Sequence, residues 1–156
     1  MIQFYSGHVT LPTHSDAEAP SMIQHIYAYI ATAVVFLVID LVWLTKIANR
    51  FYSAELGDLL LDRPNFGVAT GFYLMYVLGI VIFAVAPALK IGSLQYAVIY
   101  GALFGFFAYA TYDLTNLATL KNWSPTVSFV DIAWGTFLTG VSAGSGYAIT
   151  NAILNK

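Results

Sequence analysis

Three aspartates lie inside long hydrophobic stretches of this chain: Asp40, Asp113 and Asp131. A carboxylate in the hydrocarbon layer of a membrane costs about 2.5 to 3.5 kcal/mol on insertion scales, so it needs a partner, a watery cavity or a function. Buried carboxyl groups can bind protons or cations, and they can act as general acids and bases. We therefore expect the chemistry of this chain at these three positions.

The three aspartates are expected to lie at a similar depth in the membrane. Asp40 and Asp113 precede Lys46 and Lys121 by six and eight residues, which is about 9 Å and 12 Å along a helix. Asp131 follows the proline that begins its stretch by six residues, again about 9 Å. Because the first and third stretches end on the side where the fourth begins, all three carboxylates are predicted to meet in one half of the bilayer.

The polar residues around Asp113 allow a structural interpretation of this cluster. Asp113 and Asn116 are three residues apart and share one helix face. In this interpretation the aspartates are neutral or paired groups that cross-link the helices through Asn116, Thr115 and Tyr112. Such interhelical hydrogen bonds contribute about 0.6 kcal/mol each on average.

A functional interpretation starts from the same proximity. Three close carboxylates cannot all ionise cheaply in a low dielectric, so at least one is expected to exchange a proton near neutral pH. Asp113 is the predicted exchanging group and Asn116 its orienting partner, with Asp40 and Asp131 as the charged neighbours. Trp134 lies deep in the fourth stretch, and it is predicted to form part of the same ligand-binding site together with Tyr112 and Thr115.

The composition indicates that lipid is the solvent. The chain has 156 residues, of which 59% are hydrophobic and 9% charged, and its mean hydropathy is +0.74. A soluble domain carries roughly a quarter charged residues. Cysteine is absent, and no pair of the three histidines has metal-ligand spacing, so no metal site is expected and no cofactor is indicated. A net charge of −2 without a basic run argues against nucleic acid as a partner.

The predicted fold is an all-α integral membrane bundle of four helices with short loops. Each hydrophobic stretch reaches the roughly 20 residues that a spanning helix needs, and none alternates as a barrel strand would. The remainder comprises a flexible N-terminal tail, Met1–Ser21, which lacks the features of a signal peptide, and the loop Lys46–Asn65, which is predicted to form a short interfacial helix. The membrane domain covers 22–156, with spans at about 23–45, 66–89, 94–120 and 127–154.

Lysine and arginine counts predict the orientation of the bundle. The loop Lys46–Asn65 and the third connection together hold four basic residues, whereas the opposite side holds two, Lys90 and Lys156. Both termini are therefore expected to face the periplasm. Pairs of glycines four residues apart, such as Gly101 and Gly105, favour tight packing within the bundle over dimerisation.

The segments Tyr112–Trp123 and Val130–Thr136 carry a resemblance to a known family. Together with Asp40–Leu44 and Phe72–Tyr76, they make the chain similar, over Met22–Leu154, to an uncharacterised family of small bacterial inner-membrane proteins, a domain of unknown function. The resemblance implies four helices in a bacterial inner membrane. It implies no reaction and no catalytic residue.

Three functions are compatible with these features. The first is a cluster that binds a proton, a cation or a small polar ligand. The second is an enzyme acting on a lipid or isoprenoid chain, with an aspartate as general acid–base. The third is an accessory subunit of a larger membrane complex, with that complex or a homo-oligomer as partner besides the bilayer.

Overall fold

Each long helix of the computed structural model begins at a side-chain cap. The structure describes residues 21–155, so the predicted tail lies outside the described residues apart from Ser21. Serine or asparagine oxygens accept from backbone N–H groups at the start of four helical segments, which satisfies donors that have no partner within the helix. The caps are Ser21, Asn65, Ser93 and Ser124.

The helices are α1 (Met22–Trp43), α2 (Asn49–Leu56), α3 (Phe66–Ile80), α4 (Ala86–Ile91), α5 (Leu94–Thr119) and α6 (Pro125–Leu154). The fold is thus an all-α membrane helical bundle, as predicted. The four predicted hydrophobic stretches correspond to α1, the α3–α4 pair, α5 and α6.

Two π-helical stretches keep neighbouring helices continuous. Leu44–Ala48 joins α1 to α2, and Val81–Val85 joins α3 to α4. Pro87 explains the second stretch, because its ring excludes the normal helical partner and the preceding turn widens to compensate. The predicted short helix after the first span is therefore present as α2, but it continues α1 instead of standing apart in a loop.

Three helical segments are long and apolar enough to cross a membrane: Met22–Leu59, Phe66–Ile91 and Leu94–Thr119. Many of their large apolar side chains are exposed, including Val34, Phe83 and Phe107 at more than half of their surface. A water-soluble protein rarely leaves so much apolar surface uncovered, whereas lipid solvates it without cost. The bundle is therefore built for a bilayer.

Helix α6 is the centre of the bundle and differs from the other long helices. It has thirteen buried residues, against five each in α1 and α5, and it packs along both of those helices. Its buried positions carry many glycine, serine and threonine residues. On α1 the facing stripe recurs every fourth residue, at Ala28, Thr32, Phe36 and Asp40.

Glycines allow α5 and α6 to approach closely. A Cβ on Gly105 would collide with the backbone carbonyl of Gly135 and would lie 2.6 Å from the hydroxyl oxygen of Thr139. A Cβ on Gly101 would lie 2.5 Å from the Cβ of Ala143. This contact fixes the register that brings the polar ends of α5 and α6 together, in keeping with the predicted packing within the bundle.

Substituting Gly105→Ala is expected to destabilise the bundle by about 1 to 3 kcal/mol, because the new methyl group meets a backbone atom that cannot rotate away. The measurement is the unfolding midpoint of detergent-solubilised protein during titration with a denaturing detergent. Gly71→Ala is the matched control, since nothing lies within 4 Å of its Cβ position and alanine favours a helix by up to about 1 kcal/mol. Equal midpoints for the two variants would contradict this account of the contact.

Candidate functional site

Asp40 lies near the end of α1 and receives two hydrogen bonds. Its carboxylate accepts from the Tyr73 hydroxyl at 2.7 Å and from the indole N–H of Trp134 at 3.2 Å. The aspartate is only 6% exposed. Asp40 therefore ties α1 to both α3 and α6, and neutral donors satisfy both of its oxygens.

The Trp134 ring is held in place by a second tryptophan. It stacks on Trp43 with the ring centroids 4.3 Å apart and an interplanar angle of 14°. Trp134 thus lies beside Asp40, and its predicted role in ligand binding stays a prediction. Stacking holds the donor N–H towards Asp40, and it contributes about 0.5 to 1.5 kcal/mol beyond burial alone.

Asp131 lies on α6 and is bound from outside the main bundle. Its carboxylate accepts a hydrogen bond of 2.6 Å from Tyr52, a residue of α2. One turn further along α2, Glu55 accepts a hydrogen bond of 2.5 Å from Ser124, the residue that caps α6. An acidic side chain at a helix N-terminus is favourable for the helix dipole. Helix α2 is thus fixed across the start of α6 by two polar contacts.

Asp113 is the exception among the three aspartates. It is fully buried, and neither of its carboxylate oxygens has a hydrogen-bond partner among residues 21–155. Its backbone carbonyl accepts from Ser128 at 3.4 Å, and Ser128 in turn accepts from the Trp123 indole at 3.0 Å. The main chain of Asp113 is therefore attached to α6 while its side chain is left unpaired.

Asp131 is close enough to both of the other carboxylates to interact with them electrostatically. The described lysines and arginines are all exposed, at Lys46, Arg50, Arg63, Lys90 and Lys121. Within residues 21–155, no three acidic or histidine side chains are arranged to hold one metal ion. The three aspartates thus form a buried acidic cluster whose carboxylates are not grouped closely enough to bind one metal ion together.

The predicted polar neighbours of Asp113 are placed differently from expectation. Asn116 is half-buried but does not bond the Asp113 carboxylate, so its predicted role as orienting partner is wrong. Thr115 donates back to the carbonyls of Thr111 and Tyr112 in its own helix, so it cross-links nothing. Tyr112 packs edge-on against Trp123 and does not bridge helices to an aspartate.

The bridging residues that the sequence did not indicate are Tyr52 and Tyr73. Tyrosine is frequent in this chain, and a hydroxyl has no sequence signature that selects its acceptor. Tyr52 lies in the segment predicted to be interfacial, so its hydrogen bond with Asp131 in the bundle was not predicted. The sequence did contain one signal for these tyrosines. Each buried aspartate needs hydrogen-bond donors, and the tryptophans alone are too few to supply them.

A cavity opens beside the cluster, between α3 and α5. Its volume is about 420 Å³, and its lining is aromatic and apolar apart from one carboxylate. Helix α5 packs against the π-helical stretch Val81–Val85 but makes few contacts with α3, so the two helices separate toward the end that holds the aspartates. The lining residues are Phe72, Tyr76, Ala108, Tyr109, Tyr112 and Asp131.

An all-α bundle with lipid-exposed apolar helices and a buried acidic cluster defines a helical membrane protein. The chain belongs to the family DUF2177, described as predicted membrane proteins, whose profile matches residues 25–148. The match confirms the resemblance to an uncharacterised membrane protein family. No curated protein and no solved structure matches the chain.

Removing the Tyr73 hydroxyl tests the polar contact between α1 and α3. Tyr73→Phe is expected to lower the free energy of unfolding by about 1 kcal/mol, because Asp40 then loses one of two donors while it stays buried. Tyr100→Phe is the control, since Tyr100 is half exposed on α5 and stacks on Tyr96, away from the aspartates. Denaturant titration of both variants gives the comparison, and a larger loss for the control would refute the assigned contact.

Proposed function

We propose that this protein is a multi-pass protein of the bacterial inner membrane whose aspartate cluster binds and exchanges a proton at Asp113. The observation that carries the proposal is the unpaired, fully buried carboxyl group of Asp113. An ionised carboxylate without donors in low dielectric is costly, whereas a protonated one is not. The two other predicted functions, a lipid-chain enzyme and an accessory subunit, stay predictions.

The hydrogen bonds around the cluster support an unequal division of charge. Asp40 and Asp131 each accept from neutral donors, and such bonds stabilise a carboxylate anion. Asp113 has no comparable donor and interacts with the negative charge of Asp131. These contacts favour Asp113 as the carboxyl group that holds the proton.

Asp131 provides a route by which the proton can exchange. It lines the cavity between α3 and α5, whereas Asp113 is fully buried and does not line that cavity. A proton arriving through the cavity meets Asp131 first and Asp113 second. A proton is favoured over a metal ion because the donor atoms within the described chain are not grouped around one point.

Infrared spectroscopy tests the protonation state directly. The purified protein at neutral pH is expected to show the carbonyl stretch of a protonated carboxyl group in an apolar environment, because burial disfavours the Asp113 anion. This band should disappear in Asp113→Asn and should persist in Asp62→Asn, which changes an exposed aspartate of the loop after α2.

A band of unchanged intensity in Asp113→Asn would assign the proton to another residue and overturn the proposal. Absence of the band from the unsubstituted protein at neutral pH would overturn it as well. Raising the pH should remove the band reversibly, since an exchanging group must lose its proton to solvent.

The proposed orientation places the connection between α2 and α3 in the cytoplasm and the turn between α4 and α5 in the periplasm, following the distribution of basic residues. The cysteine-free chain allows single-cysteine labelling. In intact spheroplasts, Ile91→Cys is expected to react with an impermeant maleimide, whereas Leu61→Cys should react only after lysis. Both positions are exposed, at 62% and 73%, so the opposite pattern would reverse the proposed orientation.

A further inference from the structure

The cleft between α3 and α5, defined by the six lining residues given above, has the dimensions of a small-molecule site. Its volume of about 420 Å³ lies within the range of roughly 300 to 1,000 Å³ typical of ligand pockets. Phe72 and Tyr112 line its rim and are 43% and 59% exposed, on helices whose outer faces are apolar. A ligand therefore enters this cleft sideways from the bilayer.

The charge of the cleft determines whether it favours a cationic or an anionic ligand. Among residues 21–155, Asp131 is the one carboxylic acid that lines it, and no lysine, arginine or histidine of this range does so. Asp131 also keeps a free oxygen for a ligand, since Tyr52 bonds to its Oδ1 atom. Asp113, nearby and negative or neutral, adds no positive charge. An anionic headgroup is consequently repelled, whereas a cation is attracted to the inner end of the cleft.

The aromatic side chains of the cleft are held in fixed positions. Tyr76 shares a hydrogen bond of 2.9 Å with Thr139 in the buried core, and Tyr109 packs on Gly135, where a Cβ would collide with the ring. The Tyr76 and Tyr109 rings meet nearly perpendicular, with centroids 6.3 Å apart and an angle of 80°. Rings at right angles in one cleft with a carboxylate offer cation–π contacts to a poorly hydrated cation.

We propose that this cleft binds a lipophilic organic cation, such as a substituted ammonium or phosphonium ion. The charged centre lies against Asp131, and its apolar substituents lie along Phe72, Tyr76, Tyr109 and Tyr112. A small metal ion does not fit this description, because Asp131 is the one carboxylate among the described lining residues and such ions need several carboxylate or carbonyl oxygens. This inference rests on the proposed function, because the same acidic cluster would bind the proton and the organic cation. Cation binding at Asp131 does not, however, require Asp113 to exchange a proton.

Tetraphenylphosphonium and tetraphenylborate are suitable probes, since they share one shape and carry opposite charges. The full chain in phosphatidylcholine nanodiscs is expected to bind tetraphenylphosphonium saturably, above the background of empty nanodiscs, and to bind tetraphenylborate no better than that background. Asp131→Asn should weaken tetraphenylphosphonium binding by about tenfold or more, because it removes the charge partner. Asp62→Asn, in the exposed loop, should leave the affinity unchanged.

Tyr112 provides a variant that does not disturb the buried cluster. Tyr112→Leu is expected to weaken tetraphenylphosphonium binding by about threefold, whereas Tyr112→Phe, which keeps the ring, should retain the affinity. Equal binding of the two probes, or unchanged affinity in both Asp131→Asn and Tyr112→Leu, would overturn the proposal. Selective cation binding that depends on Tyr112 would support it even if Asp131→Asn fails to fold.

The two proposals fail in different ways. Asp113 does not line the cleft, so Asp113→Asn should still bind tetraphenylphosphonium while losing the infrared band of the protonated carboxyl group. Cation binding without that band in the unsubstituted protein would refute the proton site alone. The band without selective cation binding would refute the organic-cation site alone.

Discussion

The absence of water from the bilayer interior is the constraint on which this structure depends. In that medium a polar side chain has to find its partner within the protein, or change its charge state. Asp40 and Asp131 follow the first course, and their donors come from α3, α6 and α2. Since each donor lies on a different element from its acceptor, the same contacts that solvate the carboxylates also define how the helices are assembled.

Helix α6 meets this constraint in a way that explains its composition. A helix in the centre of a bundle touches protein on several sides, so only part of its surface, including Phe129, Phe137 and Ile149, stays exposed to lipid. Its glycines permit close approach, and its polar residues face neighbouring helices rather than lipid. Thr139 illustrates both features, because it packs under Gly105 and shares a hydrogen bond with Tyr76. Small and polar side chains at the buried positions therefore distinguish the helix that organises the others.

The all-α bundle and the meeting of the aspartates could be predicted from the sequence, because both follow from counting. Span length requires only hydrophobicity, and depth requires only the distance of each aspartate from its helix end. The partners could not be predicted in this way. Asn116 lies on the same helix face as Asp113, yet sharing a face within one helix does not create a hydrogen bond. Tyr52 and Tyr73 were missed because the acceptor of a tyrosine depends on tertiary packing.

The cleft was likewise beyond the sequence. It depends on how α3 diverges from α5 beyond the π-helical stretch Val81–Val85, and no residue pattern specifies that angle. Pro87 signals that a helix is perturbed nearby, but it does not indicate in which direction the two halves lean. The sequence indicates local features such as helices and a proline, whereas the space between two helices depends on the packing of the whole bundle.

The long separation along the chain between bonded groups has a consequence for biosynthesis. Tyr52 precedes its acceptor Asp131 by 79 residues, and Asp40 precedes its donor Trp134 by 94. Tyr52 and Asp40 are therefore synthesised well before these partners, whereas Tyr73 is an earlier donor for Asp40. The nascent chain thus remains incompletely satisfied until its last helix arrives. A truncated product would display an acidic residue within the membrane, which is a feature by which quality-control proteases can distinguish it from the finished protein.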